Sequence, residues 1–419
     1  MALICRFKVK QWIYRLLIIS ISLLMMLWRK SKDFDLALLA ATSWPNASAL
    51  ETSKDNTSQH QTSISGTERP LVVQELCRTF KVSNISGDWQ LRGKFLIDRT
   101  LYYCDIPKCG SAFMDHFLSG TFQCNGLCDE ISITSNELRL PMIGTSYSFM
   151  FVREPYARLF SAYENKLFLP NKHWTIIGTD VIKKVRPRAS FVSKILGHDV
   201  TFLELVKYVL NLYERGIRLN DHLAPMHLHC KTCEIRFNFI GRLESMSSDL
   251  VDLLEDWKTK GIVSKNISSA KEIEANMVYK RSFGPYKHMF TILKQYGEVL
   301  SRYKAFQRAW SSYQIRGLIL KKYNMPFAEN DVVNVNYIQF GDEIKKALDA
   351  SMGHKDELNA QREEAFIQAY SSVPMHLMLK LKEFMKPDCL LFGYDDMPEL
   401  LFNRTSLPNS DRFDYFKWL

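Results

Sequence analysis

Two stretches 45 residues apart constrain the fold more than any other part of this chain: LYYCDIPKCGSAF, Leu101 to Phe113, and SFMFVREPYARLFSAYENK, Ser148 to Lys166. Each reads as a buried apolar strand that breaks at a proline and enters an amphipathic helix. An α/β protein with this layout points helix N-termini and a few cations at a phosphate group. In the first stretch Leu101 to Ile106 is the strand, Pro107 ends it and Lys108 supplies charge. The small residues Cys109, Gly110, Ser111 and Ala112, followed by Phe113, let backbone amides approach an anion closely. The pattern G-x-x-x-x-G-K-[ST] occurs nowhere, and the lysine precedes the glycine, so nucleotide triphosphatase and kinase readings lose their main support. The second stretch places Arg153 at the end of a strand, where open α/β sheets bind ligands, with Pro155 near the first helical position.

Strands alternating with helices predict an α/β fold with a parallel sheet. The third strand is expected over Ile235 to Ile240, ending at Gly241, and the helix Thr201 to Arg215 opens on a capping box of Thr201 and Glu204. The helix of the second stretch is expected over Tyr156 to Phe168. From Tyr286 onward the pattern is mainly helical, in His288 to Tyr303, Ala305 to Tyr323, Asp342 to Met352, Arg362 to Ala369 and Met375 to Phe384.

The net charge of +10 does not indicate a nucleic-acid partner. Six of the 55 basic residues lie in residues 1–30, which hold no acid, leaving 49 against 45 without any nucleic-acid-binding motif. Trp12 to Trp28 is apolar except for Arg15 and is read as an uncleaved signal anchor, with residues 1–11 cytosolic; a cleaved signal peptide is the competing reading. Residues 29–70 include a Ser/Thr-rich stem and residues 71–419 form the expected luminal domain. Sequons at Asn46, Asn56, Asn84, Asn266 and Asn403 agree with a luminal placement, and the compartment permits disulfides among the eight cysteines beyond the anchor.

The order strand, P-K-small-small, helix, then V-R-x-P-x-x-R-x-x-S-A resembles the paired phosphate motifs of Golgi carbohydrate sulfotransferases. The likeness continues through NDHLAP (Asn220 to Pro225), the C-x-x-C of Cys230 and Cys233, FNFIGRLESMSSDL (Phe237 to Leu250) and PDCLLFGYD (Pro387 to Asp395). It is closest to the branch with chondroitin and dermatan 4-O-sulfotransferases and the glucuronyl 3-O-sulfotransferase of the natural killer carbohydrate epitope. The resemblance implies a P-loop-like sheet of the sulfotransferase type and 3′-phosphoadenosine 5′-phosphosulfate (PAPS) as donor. It also implies Lys108 on the 5′-phosphosulfate, Arg153 and Ser161 on the 3′-phosphate, Golgi membrane localisation and a glycan or proteoglycan acceptor. One departure is Ala112, where the family usually has a hydroxyl; Ser111 or backbone amides are the expected substitutes.

Sulfuryl transfer needs a clamped donor, a cation on the leaving phosphate and a base for the acceptor hydroxyl. Lys108 suits the cation and His222 the base, ahead of Glu244, Asp221 and His116. Arg153 is open to a structural pair with Glu154 or Glu164, and Arg158 is expected on the surface. MHLHCKTC contains zinc-type ligands, but without a second C-x-x-C a Cys230–Cys233 disulfide is expected, with no metal. Cys124 and Cys128 form a second expected pair, and Cys109 a packed free thiol. The basic run IKKVRPR, with Lys183, Lys184, Arg186 and Arg188 and with Lys172, His173 and Lys194 around it, reads either as a solvated face or as a dock for an anionic glycan. Other acceptors, a uronyl 2-hydroxyl or a protein tyrosine, and a catalytically silent glycan-binding protein are the alternative readings.

Overall fold

The computed structural model describes residues 64–80, 93–97, 99–122, 136–263, 286–403 and 413–419. The expected anchor, most of the stem, the sequons other than Asn403, and Cys124 and Cys128 lie outside the described residues. Among the described residues no helix is long and apolar enough to cross a membrane.

Four strands lie side by side in the order β1 (Lys94–Leu96), β2 (Leu101–Cys104), β3 (Tyr147–Val152) and β4 (Phe239–Arg242). β1 runs antiparallel to β2, whereas β2, β3 and β4 are parallel, in the register Tyr103 with Phe149 and Phe149 with Phe239. Every residue of β2 and β3 is buried, which is why both read as unbroken apolar runs: the sheet is covered on each face. On one face Tyr103, Phe149 and Phe239 pack against Phe113 and Phe117 of helix Ser111–Thr121 and against Leu253 and Trp257 of helix Met246–Thr259. Trp257 is fully enclosed, and its loss would cost about 3–5 kcal/mol. On the other face Tyr102, Met150 and Ile240 meet Val73 of helix Arg69–Phe80 and Leu391 of helix Met375–Phe392. Ordered contacts begin ahead of Leu71: the amide of Ile240 donates to Gly66, and Arg69 pairs with Asp249 at 2.8 Å.

The expected elements are present with shifted ends, and each shift has a local cause. Helix Phe202–Glu214 carries the capping box of Thr201 and Glu204. Helix Arg302–Ile315 stops short of Tyr323 because Gly317 turns left-handed at φ 62, where a Cβ would meet the Leu358 carbonyl oxygen at 2.5 Å. Helix Tyr337–Ser351 starts earlier than expected, on a capping box of Asn336 and Gln339. Helix Lys355–Ser371 likewise starts before Arg362, and Met375–Phe392 runs straight through Pro387, held by the burial of Asp388, Cys389, Leu391 and Phe392. The third strand lies later than expected, at Phe239–Arg242, with Gly241 inside it and the Phe151 ring filling the space a Cβ would take. The helix expected over Tyr156 to Phe168 is α-helical only for Pro155–Tyr163 and then widens into a π turn, Glu164–Phe168. Such widened turns are frequent at functional sites.

Candidate functional site

The carboxyl ends of β2, β3 and β4 lie together, and the loops leaving them are hydrogen-bonded to one another: Arg153 and Arg158 hold the turn after β2, and Glu244 holds the amide of Glu154. After β2 the chain turns through Pro107 to Gly110, with Lys108 at φ 72 and Gly110 at φ 88. Left-handed residues in such a turn make an anion-binding concavity of backbone amides. Gly110 is required twice over, because a Cβ there would also sit 2.9 Å from Met246 Cε and 3.2 Å from Leu243 Cδ1, under the loop that follows β4. Helix Ser111–Thr121 starts at once, so its first-turn amides open onto the same concavity, and Phe113, 1% exposed, anchors it in the core. Ser111 is half-buried there, whereas Ala112 faces solvent. Cys109 is buried, donates to Met226 Sδ at 3.5 Å and has its thiol pushed up to about 12 by burial, the packed free thiol expected.

The second motif grips this turn from below. Arg153, 5% exposed, donates through Nη1 to the Lys108 carbonyl at 3.1 Å; burial lowers its pKa, and Glu244 leads the charges opposing that shift. Glu154 caps helix Pro155–Tyr163 by accepting from the amides of Tyr156 and Ala157. Arg158 corrects its expected surface position. It is 5% exposed and donates to Pro107 O at 2.9 Å, Ala224 O at 2.6 Å and Asp221 O at 3.3 Å. One helical turn beyond Glu154, it points under the loops and ties the cradle to the NDHLAP segment. Ser161 lies further along the same helix, half-buried.

His222 lies in the loop that Arg158 ties to this turn. Its backbone amide donates to Asn220 Oδ1 at 3.1 Å, which fixes the amide oxygen there, and its ring Nδ1 lies 2.9 Å from the same atom. Nδ1 therefore carries the hydrogen and Nε2 keeps a lone pair. Burial, then the charges of Lys166 and Lys108, push its pKa far down, so the ring is neutral at physiological pH. Lys108 itself is lowered to about 7, first by burial and then by Lys166, Arg153 and Arg316, against the opposing pull of Glu164.

The other candidate bases have different duties. Glu244 accepts from the Glu154 amide at 2.9 Å and from Tyr394 OH at 2.8 Å, locking the loop after β4 to the second motif. The Asp221 carbonyl is held by Arg158 and by His229 Nε2, and its carboxylate faces Arg218. His116 is solvent-exposed on helix Ser111–Thr121.

The expected Cys230–Cys233 bridge is replaced by Cys104–Cys230 and Cys77–Cys233. Lys231, left-handed at φ 45, follows the short helix Met226–His229 and separates the two sulfurs: buried Cys230 meets the end of β2 while exposed Cys233 meets helix Arg69–Phe80. Zinc ligation by this segment is ruled out by the same bonds. His227 Nδ1 lies 2.6 Å from Asp388 Oδ1, and Asp388 also accepts the amides of Met226 and His227, fixing the segment after His222 to the C-terminal helix. Among the described residues no group of three or more His, Cys, Asp or Glu could hold a metal ion.

The basic run does not offer four free cations. Arg186 binds both Glu204 oxygens, at 2.6 and 2.7 Å, and Asp199 at 2.7 Å, and Lys184 pairs with Asp180; only Lys183 and Arg188 are left to solvent. The cations at the cleft are instead Lys166 and Lys172, with His173 and His288. The π turn that presents Lys166 has no sequence signature, and His288 comes from helical residues 286–296 far along the chain. Asn403 is exposed, with Nδ2 3.2 Å from Glu399 Oε1.

A cradle on a parallel sheet, gripped by the second motif, defines a class that the comparisons also return: the profile of the Sulfotransferase family matches residues 97–328, more than half of the chain. The chain belongs to that family. Carbohydrate sulfotransferase 14 of Danio rerio is 39% identical over 109 residues, 26% of this chain and 29% of its own length. Carbohydrate sulfotransferase 8 of Homo sapiens is 27% identical over 201 residues, covering 43% and 47%, and carbohydrate sulfotransferase 11 of Rattus norvegicus is 29% identical over 173 residues, covering 36% and 49%. The matched part thus spans less than half the length of each of these curated relatives. No solved structure matches.

Proposed function

We propose that this chain is a Golgi type II membrane enzyme that transfers a sulfuryl group from PAPS to a hydroxyl of a chondroitin, dermatan or related glycan containing N-acetylgalactosamine or glucuronate. The observation that carries the reading is that Lys108 and His222, 114 residues apart in sequence, sit in two loops that Arg158 joins by donating to the carbonyls of Pro107, Asp221 and Ala224. The cradle fits a phosphosulfate because its left-handed turn leaves no room for a side chain at Gly110 and the helix amides face outward. In this reading Arg153 and Ser161 take the 3′-phosphate.

The donor supplies a sulfuryl group on a phosphate leaving group. The acceptor oxygen forms a bond to sulfur as the bridging S–O bond breaks, and that electron pair passes to the phosphate. Lys108 places its ammonium where this charge develops, and His222 Nε2 takes the hydroxyl proton. Neutrality of His222 before donor binding keeps Nε2 ready for that proton. The anionic donor raises the proton affinity of both groups, so Lys108 is protonated when it is needed.

The test incubates the full chain with labelled PAPS and a panel of desulfated chondroitin, dermatan, heparosan and glucuronyl-terminated oligosaccharides. Transfer to one of them supports the reading. Stabilisation by 3′-phosphoadenosine 5′-phosphate without transfer points to another acceptor, such as a protein tyrosine, and neither signal points to a silent glycan-binding protein.

A further inference from the structure

We propose that Lys166 and His173 form an anion subsite beside His222 that receives a uronate carboxylate of the acceptor glycan, with Lys172 and His288 at its rim. The inference rests on the proposed reaction and names the part of the acceptor that the cleft recognises.

Lys166 Nζ lies 3.1 Å from His173 Nε2, so the ammonium donates to a neutral imidazole. The His173 ring in turn meets the His222 ring edge to face, with centroids 5.1 Å apart. Lys166 is therefore one ring removed from the atom that takes the acceptor proton. The arrangement is built. Asn171, 4% exposed, accepts the His173 amide at 2.8 Å and donates to the carbonyls of Asn165 and Leu169, which holds the His173 backbone against the π turn carrying Lys166.

The charge at this end of the site has no carboxylate in direct contact among the described residues. Lys166 forms no ion pair among the described residues, and Glu164, the carboxylate that acts on it and on Lys108, accepts a hydrogen bond from Ser312 in the interior. Burial first, and then the charges of Lys166 and Lys172, hold both His173 and His288 below their ordinary pKa, with Lys108 adding to the effect on His173. A half-buried ammonium with a histidine partner and no carboxylate partner is suited to an anion from outside. The proposed reaction gives the donor's anions to the cradle, Lys108, Arg153 and Ser161. The acceptor is what remains, and in a uronate-containing glycan a carboxylate lies one sugar from the reacting hydroxyl.

The experiment compares uronate glycans with their carboxyl-reduced forms as acceptors for the full chain and its Lys166→Met variant, with stabilisation by 3′-phosphoadenosine 5′-phosphate measured alongside. In the wild-type chain, carboxyl reduction is expected to raise KM about 10- to 100-fold. Lys166→Met is expected to raise KM by a similar factor on the native glycan and to change little on the reduced one, with donor stabilisation intact. Equal losses on both acceptors, a fall in kcat alone, or lost donor stabilisation would overturn the subsite. A wild-type chain that binds donor but modifies none of the glycans would overturn the proposed reaction, and the subsite with it.

Discussion

The two sides of the cleft are made in different ways. The proposed donor side is local: the end of β2, seven residues from Pro107 to Phe113, and a supporting helix that begins three residues after β3. Its binding groups are largely backbone amides, set by a left-handed turn and a helix start. The acceptor side is assembled from side chains of four separated segments, namely the π turn at Glu164–Phe168, the turn holding His173, the NDHLAP loop and helical residues 286–296. A backbone cradle is selective for a fixed anion and tolerates side-chain drift, whereas a side-chain cluster can be re-cut for a new sugar. That division separates a shared donor from varied acceptors.

The comparison can be broken first at Lys108. Lys108→Ala removes the cation assigned to the leaving phosphate, and transfer is expected to fall about 100- to 1,000-fold with the fold retained, as read by initial rates with labelled PAPS and by thermal melting. A fall under tenfold would mean that the backbone cradle alone stabilises the leaving phosphate.

Next comes the joint between the sides. Arg158→Ala leaves the carbonyls of Pro107 and Ala224 without their buried donor and that of Asp221 with His229 Nε2 in place of two donors. A loss of about 2–4 kcal/mol is expected in denaturant unfolding, with donor affinity and acceptor KM worsening together. Damage to one side only would show that the sides are not coupled through this residue.

A smaller effect sharpens the electrostatics. The folded, donor-free chain holds Lys108 at about 7, below the ordinary 10.5. Between those values the unfolded chain carries a proton that the folded chain has released, so this group's contribution to stability rises with pH across that window; its penalty is full below pH 7. Donor phosphates reverse the shift, so binding of 3′-phosphoadenosine 5′-phosphate at pH 8 should take up a fraction of a proton. Calorimetry in buffers of different ionisation heat would read it, and proton release would contradict the assignment.

The same division explains what the sequence disclosed. The strands of the two motifs and the turn at Pro107 were legible because each is a local pattern, and the capping box at Thr201 marked its helix correctly, whereas β1 was not expected and the third strand begins four residues later than expected. Arg158 was misplaced because its acceptors are backbone carbonyls 51 to 66 positions away, and a carbonyl leaves no trace in sequence. The C-x-x-C suggested its own closure, yet each cysteine pairs with one at least 126 residues distant, which only the packing of β2 and the first helix reveals. In the same way the basic run attracted attention as a charge pattern, while Arg186 is neutralised by Asp199 and Glu204, and the cations that face the cleft are scattered singly along the chain.

The central claim is that His222 takes the acceptor proton across from a donor site it does not build. The most direct measurement follows PAPS-dependent transfer and stabilisation by 3′-phosphoadenosine 5′-phosphate in parallel for the full chain and His222→Gln. The account predicts transfer lowered about 100- to 10,000-fold with donor stabilisation unchanged; transfer within a fewfold of the wild-type chain would contradict it.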